Sequence, residues 1–132
     1  MPVPQMSKEL EKVLVLDGDP DAQGEIERIF RDDDLEIEFC SRIVDAVRLL
    51  KESAYVAAVV DVGLMDAPWD QAVGILKAVG GGLPVILTAG QNTRELESKV
   101  REQDIFYYYI KSFDAEELRL AVLEAMRLAR GS

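Results

Sequence analysis

Apolar and polar positions alternate along the chain in two kinds of segment. Short apolar runs occur at residues 13–16, 35–40, 56–60, 85–87 and 106–110, rich in Val, Ile and Tyr. β-Branched and aromatic side chains suit a pleated, buried surface, so each run predicts a strand. Between them lie longer segments whose apolar residues recur every three or four positions. Ile26, Ile29 and Phe30 share one helical face; so do Ile43, Val47 and Leu50, and so do Leu118, Val122, Ala125, Met126 and Ala129. Pro20 is placed for the first turn of the first helix, with Asp19 as its cap. Glu27 and Arg31 are spaced for an i,i+4 ion pair on that helix. A fourth helix is expected over 93–102, with only Leu96 and Val100 as apolar anchors.

Five strands alternating with helices imply parallel βα units, right-handed crossovers and a sheet covered on both faces. In such open sheets ligands bind beyond the C-terminal strand ends. The 132 residues amount to about one domain, and 48% hydrophobic content is enough for a core. The folded domain is expected over 12–130, with a loosely held N-terminal segment at 1–11.

Charge narrows the chemistry. There are 25 acids against 15 bases, a net charge of −10, and no histidine. Histidine triads and histidine-ligated zinc are therefore excluded within these residues. An acidic surface repels phosphate backbones, which argues against direct nucleic-acid binding and for a divalent cation or a basic protein surface. The single cysteine, Cys40, closes no internal disulfide and follows an alternating stretch, so it reads as a buried strand thiol. Apolar runs such as 55–60 fall far short of the roughly 18 residues a membrane span needs, and the N-terminus has no signal-like core. A cytoplasmic location without membrane contact is expected.

The candidate chemistry sits at the strand ends. Asp17, Gly18, Asp19 and Pro20 follow the first apolar run, Asp61 the third, Thr88 and Ala89 belong to the end of the fourth, and Lys111 follows the fifth. No Lys or Arg occurs between Val13 and Glu27, and only Lys77 between Glu52 and Thr93, so Lys111 is the cation expected to face Asp17 and Asp61. An aspartate can attack phosphorus when the charge of the incoming group is neutralised. Magnesium does this with one or two carboxylates and the phosphate itself, and a lysine and a hydroxyl can hold further phosphoryl oxygens. Taken singly, each residue is explained as a strand-end ion pair or a helix cap; the four together favour phosphoryl chemistry.

These residues make the chain similar to the receiver domains of two-component response regulators. The likeness rests on the acidic turn ending in Asp19-Pro20, on Asp61, on Thr88-Ala89, and on Lys111 followed by Phe113, and it spans roughly residues 12–130. It implies an α/β, flavodoxin-like, doubly wound, five-stranded parallel sheet in the order 2-1-3-4-5, with five helices. By this resemblance Asp61 is the phosphoacceptor, and magnesium lies between Asp17, Asp61 and the backbone carbonyl of Gly63. Thr88 and Lys111 would hold the phosphoryl group, while Thr88 and Tyr108 would switch position with it. Alternation along the fifth strand sends Tyr108 to one face and Tyr107 and Tyr109 to the other. A histidine kinase or phosphotransfer protein would supply the phosphate. A downstream protein, or an output domain absent from these residues, would read the change; the only catalysis implied is self-catalysed phosphorylation and dephosphorylation of the aspartate.

Four departures stand out. Gly18 occupies the place of a second acid that usually ligates magnesium, which should weaken cation binding. Ser112 replaces the proline after the lysine, where the family commonly has a cis bond, so either a shifted trans loop or a strained cis bond is expected; a non-proline cis bond costs about 3–4 kcal/mol. Residues 65–69 lack the family's proline-then-glycine pattern, and Trp69 there is expected to pack the start of the third helix or to lie over the site rim. Gly63 and Gly90, two residues after Asp61 and Thr88, stand where side chains in this family limit access of water, so a phosphoryl group would be short-lived. Gly18 and Ser112 support a second reading, a degenerate receiver acting as a phosphorylation-independent interaction module. A flavin protein of the same topology needs a Ser/Thr/Gly-rich phosphate loop after the first strand, where this chain has Asp17-Gly18-Asp19-Pro20.

Overall fold

A computed structural model describes residues 10–111 and 114–131. Five strands alternate with five helices: β1 (Glu11–Leu16), α1 (Ala22–Ile29), β2 (Leu35–Cys40), α2 (Ile43–Glu52), β3 (Ala57–Asp61), α3 (Trp69–Val79), β4 (Val85–Ala89), α4 (Arg94–Glu102), β5 (Tyr107–Ile110) and α5 (Ala115–Gly131). The strands form one parallel sheet in the order β2-β1-β3-β4-β5. This is the flavodoxin-like, doubly wound order implied by the resemblance to receiver domains, and it contains the parallel βα units implied by the alternation of the two segment types. Residues 1–9 of the expected loose segment, and Ser112 with its peptide bond, lie outside the described residues.

The period-2 alternation of the strands divides the core in two. Val13, Val15, Ala57, Val59, Ile86 and Tyr109 face α1 and α5, meeting Ile26, Phe30, Leu118, Val122 and Met126. Leu14, Leu16, Ala58, Val60, Val85 and Leu87 face the other way, meeting Ala46 and Leu50 of α2 and Trp69, Val73 and Leu76 of α3. Both faces are covered, so β1, β3 and β4 carry unbroken apolar runs at residues 13–16, 57–60 and 85–87. Trp69 packs the start of α3 and is buried. Tyr108 packs against the α2–α3 layer, whereas Tyr107 and Tyr109 belong to the α1–α5 layer. Among the described residues, no helix is long and apolar enough to cross a membrane.

Two local expectations are corrected. Helix α1 begins at Ala22, two residues later than Pro20 suggests; the Asp19 carboxylate accepts from the Asp21 N–H and its carbonyl from the Ala22 N–H, so Asp19 shapes a turn that leads into the helix. The helix also ends at Ile29, before Arg31, and Glu27 accepts instead from the Gln23 side-chain amide.

The turn from α3 to β4 needs glycine. Gly81 and Gly82 have φ of 67° and 86°, in the left-handed region that side-chain-bearing residues avoid. By contrast, Gly24 in α1 and Gly74 in α3 lie in open space in ordinary helix. Gly24→Ala and Gly74→Ala should each raise stability by about 0.5–1 kcal/mol, and Gly82→Ala should lower it by roughly 1–2 kcal/mol. Shifts of the urea midpoint check these signs.

Candidate functional site

Sheet order places the candidate residues together. Because β1 lies beside β3 and β3 beside β4, Asp17 after β1, Asp61 at the end of β3 and Thr88 near the end of β4 stand on one sheet edge. Asp61 is in direct register with Thr88. Lys111 follows β5, tied by its backbone N–H to the Ala89 carbonyl at 2.8 Å, and its long side chain reaches back across the strand ends.

The contacts are short and reciprocal. Lys111 Nζ lies 2.6 Å from Asp17 Oδ2 and 3.1 Å from Asp61 Oδ1. The Thr88 hydroxyl, on a residue only 2% exposed, donates to Asp61 Oδ1 at 2.8 Å. The Gly63 N–H donates to Asp61 Oδ2 at 2.9 Å, and the Asp19 N–H to Asp17 Oδ1 at 2.9 Å. Asp17 and Asp61 are largely buried, with side chains 8% and 13% exposed. Burial alone would lower the pKa of the Lys111 ammonium. The hydrogen bond to Asp17 and the charge of Asp61 more than offset it, so the pKa lies above the ordinary lysine value.

Glycines shape the rest of the site. A Cβ on Gly18 would sit 3.7 Å from the Gly63 carbonyl oxygen and 3.8 Å from Met65 Cγ, so a side chain there would point at Gly63 without a clash. A Cβ on Gly63 would lie only 3.0 Å from Asp61 Oδ2, whereas one on Gly90 would meet nothing within 4 Å. The donor set brought together here is the two carboxylates of Asp17 and Asp61. That set fits magnesium, which is bound through one or two carboxylates and keeps several waters. Among the described residues there is no cluster of three or more His, Cys, Asp or Glu able to enclose a metal.

Tyr108 is not drawn into this cluster. Its hydroxyl donates to Asn92 Oδ1 at 2.9 Å, and the Asn92 amide donates to Glu97 Oε2 at 3.3 Å, linking β5, the β4–α4 loop and α4. Thr93 caps α4 by accepting from the Leu96 N–H at 3.0 Å. Asp66 accepts from the first N–H of α2, at Ile43, at 3.0 Å. Sequence reasoning missed both Asn92 and Asp66, because each contact joins different elements and follows no local spacing.

This fold and this strand-end cluster define a doubly wound α/β domain with an acidic site at the C-terminal ends of its strands. Residues 13–123 match the response regulator receiver domain family, and the chain belongs to it. No curated protein matches the chain in sequence. In structure it is similar to a CheY-like receiver domain protein of Methanospirillum hungatei JF-1 (TM-score 0.82, 15% identity, 93% of this chain and 98% of that one). It is also similar to the signal receiver domain of an HD domain-containing protein of Pseudomonas fluorescens Pf-5 (TM-score 0.84, 18% identity, 94% and 100%). A third similar structure is the receiver domain of a sensor histidine kinase of Pseudomonas aeruginosa PAO1, with a magnesium ion coordinated in its active-site cleft (TM-score 0.78, 19% identity, 89% and 98%).

Cys40, on the β2 side of this edge, is chemically quiet. Burial first, then the charges of Asp45, Asp66 and Glu38, push its thiol up to about 12 from an ordinary 9.0. The folded thiol should therefore stay protonated at pH 9 and titrate only near pH 12, as followed by thiolate absorbance. Folded and unfolded chains are both protonated at this thiol below 9.0, so its stabilising contribution is complete there and is lost as pH rises from 9.0 toward 12. Cys40→Ala should flatten that part of the alkaline stability curve.

Proposed function

We propose that this receiver domain is phosphorylated on Asp61 by a histidine kinase or phosphotransfer protein, and that the phosphoryl group alters a protein-binding face read by a downstream protein or an output domain. The observation that carries the reading is the bridging of Asp17 and Asp61 by Lys111 at 2.6 and 3.1 Å, with the Thr88 hydroxyl on the same Asp61 oxygen. Asp61 Oδ2, held among the described residues only by the Gly63 N–H, is the oxygen best placed to attack. The bond formed is Oδ2–P, and the bond broken joins phosphorus to the donor nitrogen or acyl oxygen. Lys111 and Thr88 are the groups that would take the transferred oxygens.

Magnesium, held by Asp17, Asp61 and the Gly63 carbonyl, would neutralise the phosphoryl charge when bound. The catalysis is that of the domain on itself. Tyr108, tied to the loop after Thr88 through Asn92, is the residue through which a change at Thr88 would reach the outer face.

A specific observation favours the second reading, a phosphorylation-independent interaction module. Gly18 supplies no carboxylate, and Lys111 already satisfies the two that remain. Incubation with magnesium and acetyl phosphate, followed by intact mass, separates the two. The switch predicts a one-phosphoryl gain that is absent in Asp61→Ala; no gain even at high magnesium favours the module.

Two substitutions test the glycines. Gly18→Asp should tighten magnesium binding by at least about tenfold, since a unit charge about 4 Å away is worth several kcal/mol at an effective dielectric near 20, before screening by salt. Calorimetric titration reads this directly. Gly90→Glu, at an open position, should lengthen the phospho-aspartate lifetime several-fold by shielding Asp61 from water. An unchanged lifetime would sink the idea that Gly90 leaves the phosphoryl group exposed.

A further inference from the structure

The sheet ends on one side at β2, and among the described residues no strand pairs with its outer edge. Such an edge presents a row of unused N–H and C=O groups. β2 is regular over six residues and contains neither proline nor glycine. Its two faces differ in chemistry. Leu35, Ile37 and Phe39 are half-buried on the α1 side, where with Gln23, Glu27 and Phe30 they line a shallow groove of about 250 Å³. Glu36 and Glu38 point to the opposite face and share one cation, Lys12, at 3.3 and 3.7 Å, which leaves a net negative charge there.

The surroundings are strongly acidic. Residues 17–38 hold ten carboxylates against Arg28 and Arg31, and after Arg119 pairs with Asp33 and Lys12 with Glu36 and Glu38 this stretch still carries a net negative charge. A second copy of the chain would bring the same charge to the same edge and be repelled. A basic strand meets the opposite situation: attraction over the approach, open main-chain groups at the edge, and apolar side chains already in a row on one face.

We infer that the outer edge of β2 is a docking site for an extended basic segment of another protein, added as a sixth strand, with Lys or Arg beside Glu36 and Glu38 and apolar residues beside Ile37 and Phe39. The side-chain period of two makes this a pattern requirement, basic and apolar residues in strict alternation, and not merely a requirement for charge. The site is separate from Asp61 and holds whether or not that residue is phosphorylated.

The test uses the full chain and a short synthetic peptide of alternating lysine and valine. Its comparators are a peptide of the same composition with the lysines and valines in blocks, and the alternating peptide N-methylated at every residue, which removes the main-chain donors of both strand edges. Binding is read by calorimetry and location by amide hydrogen exchange. The alternating peptide should bind at least about tenfold more tightly than either comparator and slow exchange in β2. Glu36→Lys with Glu38→Lys should weaken it similarly; the N-methylated peptide carries the same test without altering the protein. Equal affinity for the block peptide, protection outside β2, absence of binding at low salt, or pairing of the chain with itself through β2 would each overturn the inference.

Discussion

The arrangement of the strand ends depends on one cation. Parallel strands in the order β2-β1-β3-β4-β5 bring Asp17 and Asp61, far apart in sequence, to adjoining positions where both are largely buried. Two carboxylates within reach of one ammonium repel each other. Lys111, held against Ala89 by its backbone and reaching back with its side chain, turns that repulsion into two ion pairs. The fold can therefore hold an acidic site ready without a bound ion, and removing the ammonium would leave two buried charges unpaired.

The same cation limits what the site demands of a metal. With Gly18 in place of an acid, the cluster of Asp17, Asp61 and Lys111 carries one net negative charge, assigned with the carboxylates ionised and the amine protonated. A dication entering such a cluster meets less attraction than one entering three carboxylates, and it must share Asp17 and Asp61 with a lysine that already has both. On the proposed reading, the ion would compete with the two short Lys111 contacts for the same carboxylates.

Much of this was legible in the sequence because period and burial coincide. The central residues of β1, β3 and β4 are buried on both faces, so residues 13–16, 57–60 and 85–87 are apolar without a break and the strands stand out. The strand ends were legible as well, since Asp17, Asp61, Thr88 and Lys111 each follow or close an apolar run. Element starts were harder to place: Asp19-Pro20 reads as a helix start, but the chain spends a further turn on it before Ala22. The Tyr108–Asn92 and Asp66–Ile43 contacts were not legible at all. Each joins a loop to an element whose relative position is decided by the assembled sheet, so no local pattern encodes it. Gly18 was visible as a departure, but the space around it, open toward the Gly63 carbonyl, is a property of the fold.

Helix α4 has a thermodynamic consequence of its own. It buries no residue fully and rests on half-buried Leu96 and Val100, a Thr93 cap and the Asn92–Glu97 contact. An element with so few apolar contacts opens locally at a free energy well below that of global unfolding. A protein that recognises α4 in its helical form must therefore order it as well as contact it, and part of the binding energy goes to that ordering. Affinity at this face then becomes adjustable without changing a single contact residue: any event that stiffens the β4–α4 loop, however distant its cause, lowers the entropy still to be lost on binding.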